Sequence, residues 1–200
     1  MNRDKRILEF RNSEFTTRED GENHTIEGYF AVFNSIYQMD SMLSESIAPG
    51  AFTNSLSNDV RALINHDTTL VLGRTGAHTF TISQDERGLY GVITINPKDS
   101  DAMNAYERVK RGDVSGCSIG FNIIREATDV SEDGSIHWTI EDVELFECSV
   151  CTFPAYEQTN ITARAAEREE IMKRRLEAKR EKVKARFNHG IETVEAAQAP

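Results

Sequence analysis

Residues 24–33 read HTIEGYFAVF. Strict alternation puts Ile26, Phe30 and Val32 on one strand face and Tyr29, Ala31 and Phe33 on the other. Both faces are then apolar, as expected of a buried strand or of one in a closed barrel. Working outward, DVRALINH (59–66) is a second extended candidate. HTFTIS (78–83) and GLYGVITINP (88–97) flank the polar QDER, and Gly88 after that turn predicts a hairpin. SGCSIGFNII (115–124) and SIHWTIEDVELFECSVCTF (135–153) are joined through SEDG, a second hairpin. Several short strands at this spacing predict a mostly β fold, a barrel or sandwich.

Two helical segments interrupt the strands. DSDAMNAYERVKRG follows Pro97 with Asp99 or Ser100 as N-cap. Ala102, Met103, Tyr106 and Val109 form its apolar stripe, Lys110 and Arg111 fill its last turn, and Gly112 ends it. APGAFTNSL (48–56) reads as a turn or short helix. A third helix is expected over 165–187, where Glu169–Lys173 and Glu170–Arg174 have the favourable i,i+4 order. Its apolar stripe is thin: Met172, Leu176, Val183 and Phe187.

Charge divides the chain at the same place. The whole carries −10, with 38% hydrophobic and 28% charged residues, enough to bury a core with polar segments to spare. Segment 165–187 has nine Lys/Arg against five Glu, so the acidity lies in residues 1–164. The division predicts a globular domain over 1–164, then a charged helical appendage and disordered tail over 165–200. Net acidity argues against nucleic-acid binding. No apolar run reaches the ~18–20 residues of a membrane span. MNRDKRILEF lacks the apolar core of a secretion signal. Three cysteines, an odd number, do not make a disulfide framework and point to a reducing compartment.

The chemistry gathers around GCSIGF, 116–121. Alternation puts Cys117, Ile119 and Phe121 on one face and Ser118 with Gly120 on the other. With the first face on the core, Ser118 looks outward over a surface cleared by Gly120, where a substrate backbone has room. A serine between glycines also suits a packed strand with no chemistry. As a nucleophile, Ser118 needs a base, an orienting group for that base, and oxyanion donors. Of five histidines, His66 stands out, ending the apolar run RALINHD between Asn65 and Asp67. His78 and His137 begin strand-like runs and read as part-buried rings. Glu147 lies in ELFECSVCTFPA on the parity of Leu145, Ser149 and Cys151. A carboxylate there is costly to bury unless paired, and an imidazolium is a reasonable partner. Asp67 and His78 compete with Glu147 as orienters. Arg74 is a lone basic residue near the His66 loop, either an oxyanion contact or a surface arginine.

Cys148 and Cys151 spell C-x-x-C, but on opposite faces of an extended run and without a second pair for zinc. They read as core thiols, with a cysteine hydrolase using Cys117 or Cys151 as the remaining option. The sequence calls for no metal and no cofactor.

EGYFAVFNS (27–35), ESIAPGAF (45–52), RALINHDTTLVLGR (61–74), GLYGVITIN (88–96), SGCSIGF (115–121) and ELFECSVCTFPA (144–155) together resemble, in order, the prohead (procapsid) maturation proteases of tailed bacteriophages. The resemblance spans roughly residues 25–163. It implies a serine endopeptidase of the herpesvirus-assemblin type, an α+β, mostly β fold in which a β-barrel is wrapped by helices. It maps catalysis onto His66 and Ser118, with Glu147 as the acidic third member; the assemblin relatives' second histidine keeps His78 in contention. Cys117 departs from the larger apolar residue usual before the serine. The implied substrates are the scaffold protein, the scaffolding segment of the major capsid protein and the protease itself, inside a procapsid in the host cytoplasm. Self-association during assembly is also implied. The alternative is a non-enzymatic capsid-assembly or scaffolding protein that keeps the protease fold.

Overall fold

The computed structural model describes residues 6–10, 15–21, 23–152 and 158–197. It is mostly β, with eleven strands among the described residues: β1 (Arg6–Phe10), β2 (Thr16–Asp20), β3 (Asn23–Val32), β4 (Tyr37–Gln38), β5 (Leu43–Ile47), β6 (Arg61–Ile64), β7 (Asp67–Arg74), β8 (Phe80–Gln84), β9 (Gly88–Ile95), β10 (Gly116–Val130) and β11 (Ile136–Cys151). Helix α1 (Ser100–Arg111) separates β9 from β10, and α2 runs from Gln158 to Ala197. Two compact units result, Met1–Asn160 and Ile161–Pro200.

The strands form two open sheets rather than the expected closed barrel. Four strands pair in the order β2-β3-β9-β8. Seven belong to the other sheet, whose spine runs β1-β10-β11-β5-β4, with β6 on β11 and β7 on β6. The two-faced apolar run that suggested a barrel has a local cause. A β-bulge between Tyr29 and Ala31 breaks the alternation, so the neighbours Phe30 and Ala31 are both fully buried. One core is shared by the two sheets and α1. Ile26, Phe30, Phe80 and Ile93 of the small sheet and Ile119, Phe121, Leu145 and Val150 of the large one belong to it, with Ala105 and Tyr106 of α1.

Both predicted hairpins form, β8–β9 and β10–β11, each antiparallel. The second is the frame of the molecule. On its far side β11 takes two parallel partners end to end. β5 pairs over Ile136–Ile140 and β6 over Glu147–Val150. Helix α1 is built as its sequence dictates. Asp99 Oδ1 accepts from the N–H groups of Asp101 and Ala102, and Gly112 closes the helix at φ 85°. Segment 48–56 contributes only a short 3₁₀ turn, Thr53–Ser55. In the second unit α2 overruns the expected 165–187 at both ends, and residues 188–197, expected as tail, are helical. Glu170 and Arg174 form the i,i+4 pair read from the sequence.

Candidate active site

His66 owes its place to a turn. Ile64 pairs with Asp67 across β6 and β7, leaving Asn65 and His66 as a two-residue loop. Both have positive φ, 49° and 63°, the requirement of a type I′ hairpin turn. Left-handed backbone is uncommon for any residue but glycine, although asparagine and histidine tolerate it better than most, so the turn gains from support. Asn65 N–H donates to the Val150 carbonyl at 3.0 Å, and Asn65 Oδ1 accepts from Thr152 N–H at 2.9 Å. His66 N–H donates to Ser149 Oγ at 3.2 Å. The strand thus ends two residues before His66, not at it, and the turn folds His66 back over β11.

There it meets Glu147. His66 Nδ1 lies 2.7 Å from Glu147 Oε1, with the ring partly exposed and the carboxylate 2% exposed as a residue. The other carboxylate oxygen, Oε2, accepts from Ser149 Oγ at 2.6 Å. An ionised carboxylate only accepts, so this geometry puts the imidazole proton on Nδ1 and leaves Nε2 as the basic nitrogen. Burial of the carboxylate is tolerable because both of its oxygens have donors.

Ser118 faces this group from the next strand, but not across open space. It pairs with Ser149, and Gly120 pairs with Glu147. Cross-strand partners on one face lie about 4.5–5.5 Å apart at Cβ. The expected outward-looking serine is instead fully buried, at 0% exposure. Two features account for this. β1 pairs along β10 and sets Glu9 opposite Ser118, so the serine strand is flanked on both sides. The surface over Gly120 is occupied as well. A Cβ there would stand 2.6 Å from Glu147 Oε1 and 2.8 Å from Glu147 Cγ. Gly120 therefore accommodates the glutamate, not a substrate backbone. The other face behaves as read from the sequence, with Cys117 Sγ 3.3 Å from the Phe30 carbonyl oxygen in the core.

The competing orienters are placed elsewhere. Asp67 Oδ1 accepts from Thr69 N–H at 2.8 Å and from Thr69 Oγ1, and those bonds hold its carboxyl below the usual range. His78 caps a 3₁₀ turn beyond the far end of β7, in left-handed conformation. Arg74 is at that same end. Its guanidinium makes a two-pronged bond to Asp59, Nε to Oδ1 at 2.7 Å and Nη2 to Oδ2 at 2.6 Å. His137 is a half-buried ring held by Ser44 and Ser46 hydroxyls at 2.9 and 2.8 Å. Leu145 leaves the parity of Glu147, because a bulge after Gly120 sets it opposite Phe121.

All three cysteines are buried thiols outside any disulfide. Burial, then the nearby Glu147 charge, pushes the Cys148 thiol well up. Cys151 is set apart by its neighbour, since its Sγ lies 3.9 Å from His66 Nε2. The sequence puts Ser149 and Cys151 on the Glu147 face and gives Ser149 no role. The reach of the hairpin turn over β11 carried that information. No group of three or more His, Cys, Asp or Glu side chains suited to a metal ion occurs among the described residues. A cavity of about 280 Å³ lies between the hairpin and the start of α1, lined by Ile64, Thr69, Leu72, Asp99 and Ala102 among others.

Residues 11–175 match the family described as the caudovirus prohead serine protease. The chain is 35% identical over 162 residues to the prohead protease of Enterobacteria phage HK97, covering 79% of this chain and 68% of that one. Among solved structures, the capsid assembly protease of bacteriophage T4 aligns with a TM-score of 0.48 and 10% identity, over 74% of this chain and 96% of the other.

Proposed function

Because the chain belongs to the caudovirus prohead serine protease family, we propose that it is a serine endopeptidase acting inside the phage procapsid in the host cytoplasm. Ser118 is the nucleophile, His66 the general base and acid, and Glu147 the group that orients and charges-balances the imidazole. The single observation that carries this reading is the 2.7 Å contact between His66 Nδ1 and Glu147 Oε1, which favours the tautomer with its proton on Nδ1 and its basic lone pair on Nε2. His66 takes the Ser118 proton, Oγ attacks the scissile carbonyl, and the imidazolium protonates the leaving amine. Water then repeats the sequence on the acyl-enzyme. Ser118 is enclosed, so a substrate reaches it only after side chains over it move. We assign no oxyanion role to Arg74, which is bonded to Asp59.

The substrates are capsid-assembly proteins: scaffold, the scaffolding segment of the major capsid protein, and the chain itself. Residues 1–164 are the protease domain, and 165–200 an appendage that docks on the assembling shell and is open to self-processing. The test is cleavage of a capsid or scaffold substrate by Ser118→Ala and His66→Ala. Loss of cleavage in both supports the reading, and undiminished cleavage by either overturns it. A wild-type chain that cleaves neither substrate, resists serine-directed reagents and stays in particles stoichiometrically belongs to the assembly-protein alternative.

A second reading draws on the 3.9 Å contact of Cys151 Sγ with His66 Nε2. There Cys151 is the nucleophile and Ser118 a packed neighbour. Cys151→Ala separates the two, abolishing turnover on that reading only.

A further inference from the structure

We propose that Ser149 is a positioning residue of the peptidase centre, acting through both His66 and Glu147; this rests on the assignment of those two residues above. The Ser149 hydroxyl has one proton and two lone pairs. The proton goes to Glu147 Oε2 at 2.6 Å. A lone pair receives the main-chain N–H of His66 at 3.2 Å. One buried oxygen, on a residue with no exposed surface, thereby ties the carboxylate to the backbone of the residue whose ring that carboxylate holds.

Each bond has its own consequence. The bond to Oε2 fixes the carboxylate's rotation, so that Oε1 and not Oε2 meets Nδ1. The bond from His66 N–H secures the left-handed conformation of His66, at φ 63°, a region that non-glycine residues visit uncommonly. Ser149 Oγ also lies 3.4 Å from Nδ1. With its proton committed to the carboxylate it has none for the ring, so in this approach Nδ1–H is the donor and the second Oγ lone pair the acceptor, secondary to the shorter bond to Glu147. Ser149 is accordingly no second nucleophile: the ring atom near it is the one facing Glu147, not the basic Nε2. Its register partner is Ser118, so the support and the proposed nucleophile sit side by side on adjacent strands.

The experiment compares Ser149→Ala and Ser149→Thr with the otherwise unaltered full chain, by kinetics and by proton NMR. For NMR, Ser118→Ala is the background, to prevent self-cleavage. The low-field proton on His66 Nδ1 is identified by its disappearance in Glu147→Gln. In Ser149→Ala, kcat falls about 10- to 100-fold while KM stays within about twofold. The low-field line broadens or vanishes, and the melting transition remains cooperative. Ser149→Thr, which keeps the hydroxyl, restores the line and most of the rate. Wild-type kcat in Ser149→Ala overturns the proposal, as does a low-field line that survives unchanged. A chain that cleaves nothing in any form, yet loses the line in Ser149→Ala, refutes the peptidase reading and leaves this role standing.

Discussion

His66 and Glu147 are 81 positions apart and meet at 2.7 Å, Nδ1 to Oε1, with the carboxylate buried and the ring partly exposed. The buried partner sets the proton's place, and the partly exposed ring turns its other nitrogen, Nε2, toward Cys151 Sγ at 3.9 Å. Glu147→Gln replaces an acceptor by an amide that can present a donor to Nδ1. The imidazole then takes the wrong tautomer, and turnover falls about 10⁴-fold with little change in KM. Steady-state kinetics on a capsid-protein substrate measures this, and a loss under tenfold would contradict the assigned orienting role.

Gly120→Ala inserts a Cβ 2.6 Å from Glu147 Oε1. The carboxylate is clamped between His66 and Ser149, so it can give way only by leaving one of them. We expect a rate loss of about 10²-fold or more, with stability reduced by about 1–3 kcal/mol from overpacking. Kinetics combined with a urea titration separates the two effects.

Arg74→Met tests a residue the structure removes from the chemistry. Hydrogen bonds from Arg74, aided by the Arg61 charge, hold the Asp59 carboxyl down at about 2. Asp59 therefore favours the folded state above its ordinary value of 3.8, and that contribution is lost as pH falls through about 2. In the variant, the Asp59 carboxyl titrates closer to its ordinary value, by carbon-13 NMR. Cleavage is unchanged, because Arg74 and His66 lie at opposite ends of β7.

Thiol chemistry gives a fourth outcome. Cys117, Cys148 and Cys151 are buried, and burial keeps the Cys148 proton in place at neutral pH. Alkylation of the native chain is slow at all three, becoming rapid once the chain is unfolded by denaturant. Mass spectrometry of the two states reads this directly. Cys151→Ala retains peptidase turnover of the same order as the unaltered chain.

Asp99→Ala removes the side-chain acceptor of two N–H groups at the start of α1. The expected cost is about 1 kcal/mol, read as a lowered urea midpoint with an unchanged slope.

What the sequence disclosed was local. Asp99 and Gly112 announced α1, and the polar turns QDER and SEDG announced the two hairpins, because caps and turns depend on neighbours in the chain. The cost of burying Glu147 pointed to a histidine partner, since an unpaired carboxylate in that setting is penalised wherever the partner comes from. Ser118 is enclosed rather than outward-facing, and the sequence does not show it because the cover is distant in the chain: β1 alongside it, and Glu147 over Gly120. The barrel failed on Phe30 and Ala31, where a bulge mimics a two-sided strand. Asn65 and His66 gave no glycine to flag their turn, so its hand emerged only from the backbone.

The parallel pairing of Arg61–Ile64 with Glu147–Val150 has a consequence for timing. Ser118 and Glu147 share a hairpin, but the imidazole arrives only when a strand made far earlier docks beside the last one. During translation no nascent chain shorter than this can hold the three groups together. The proposed centre is therefore closed by contacts between the His66 turn and β11, and neither that turn nor the Ser118–Glu147 hairpin carries it alone.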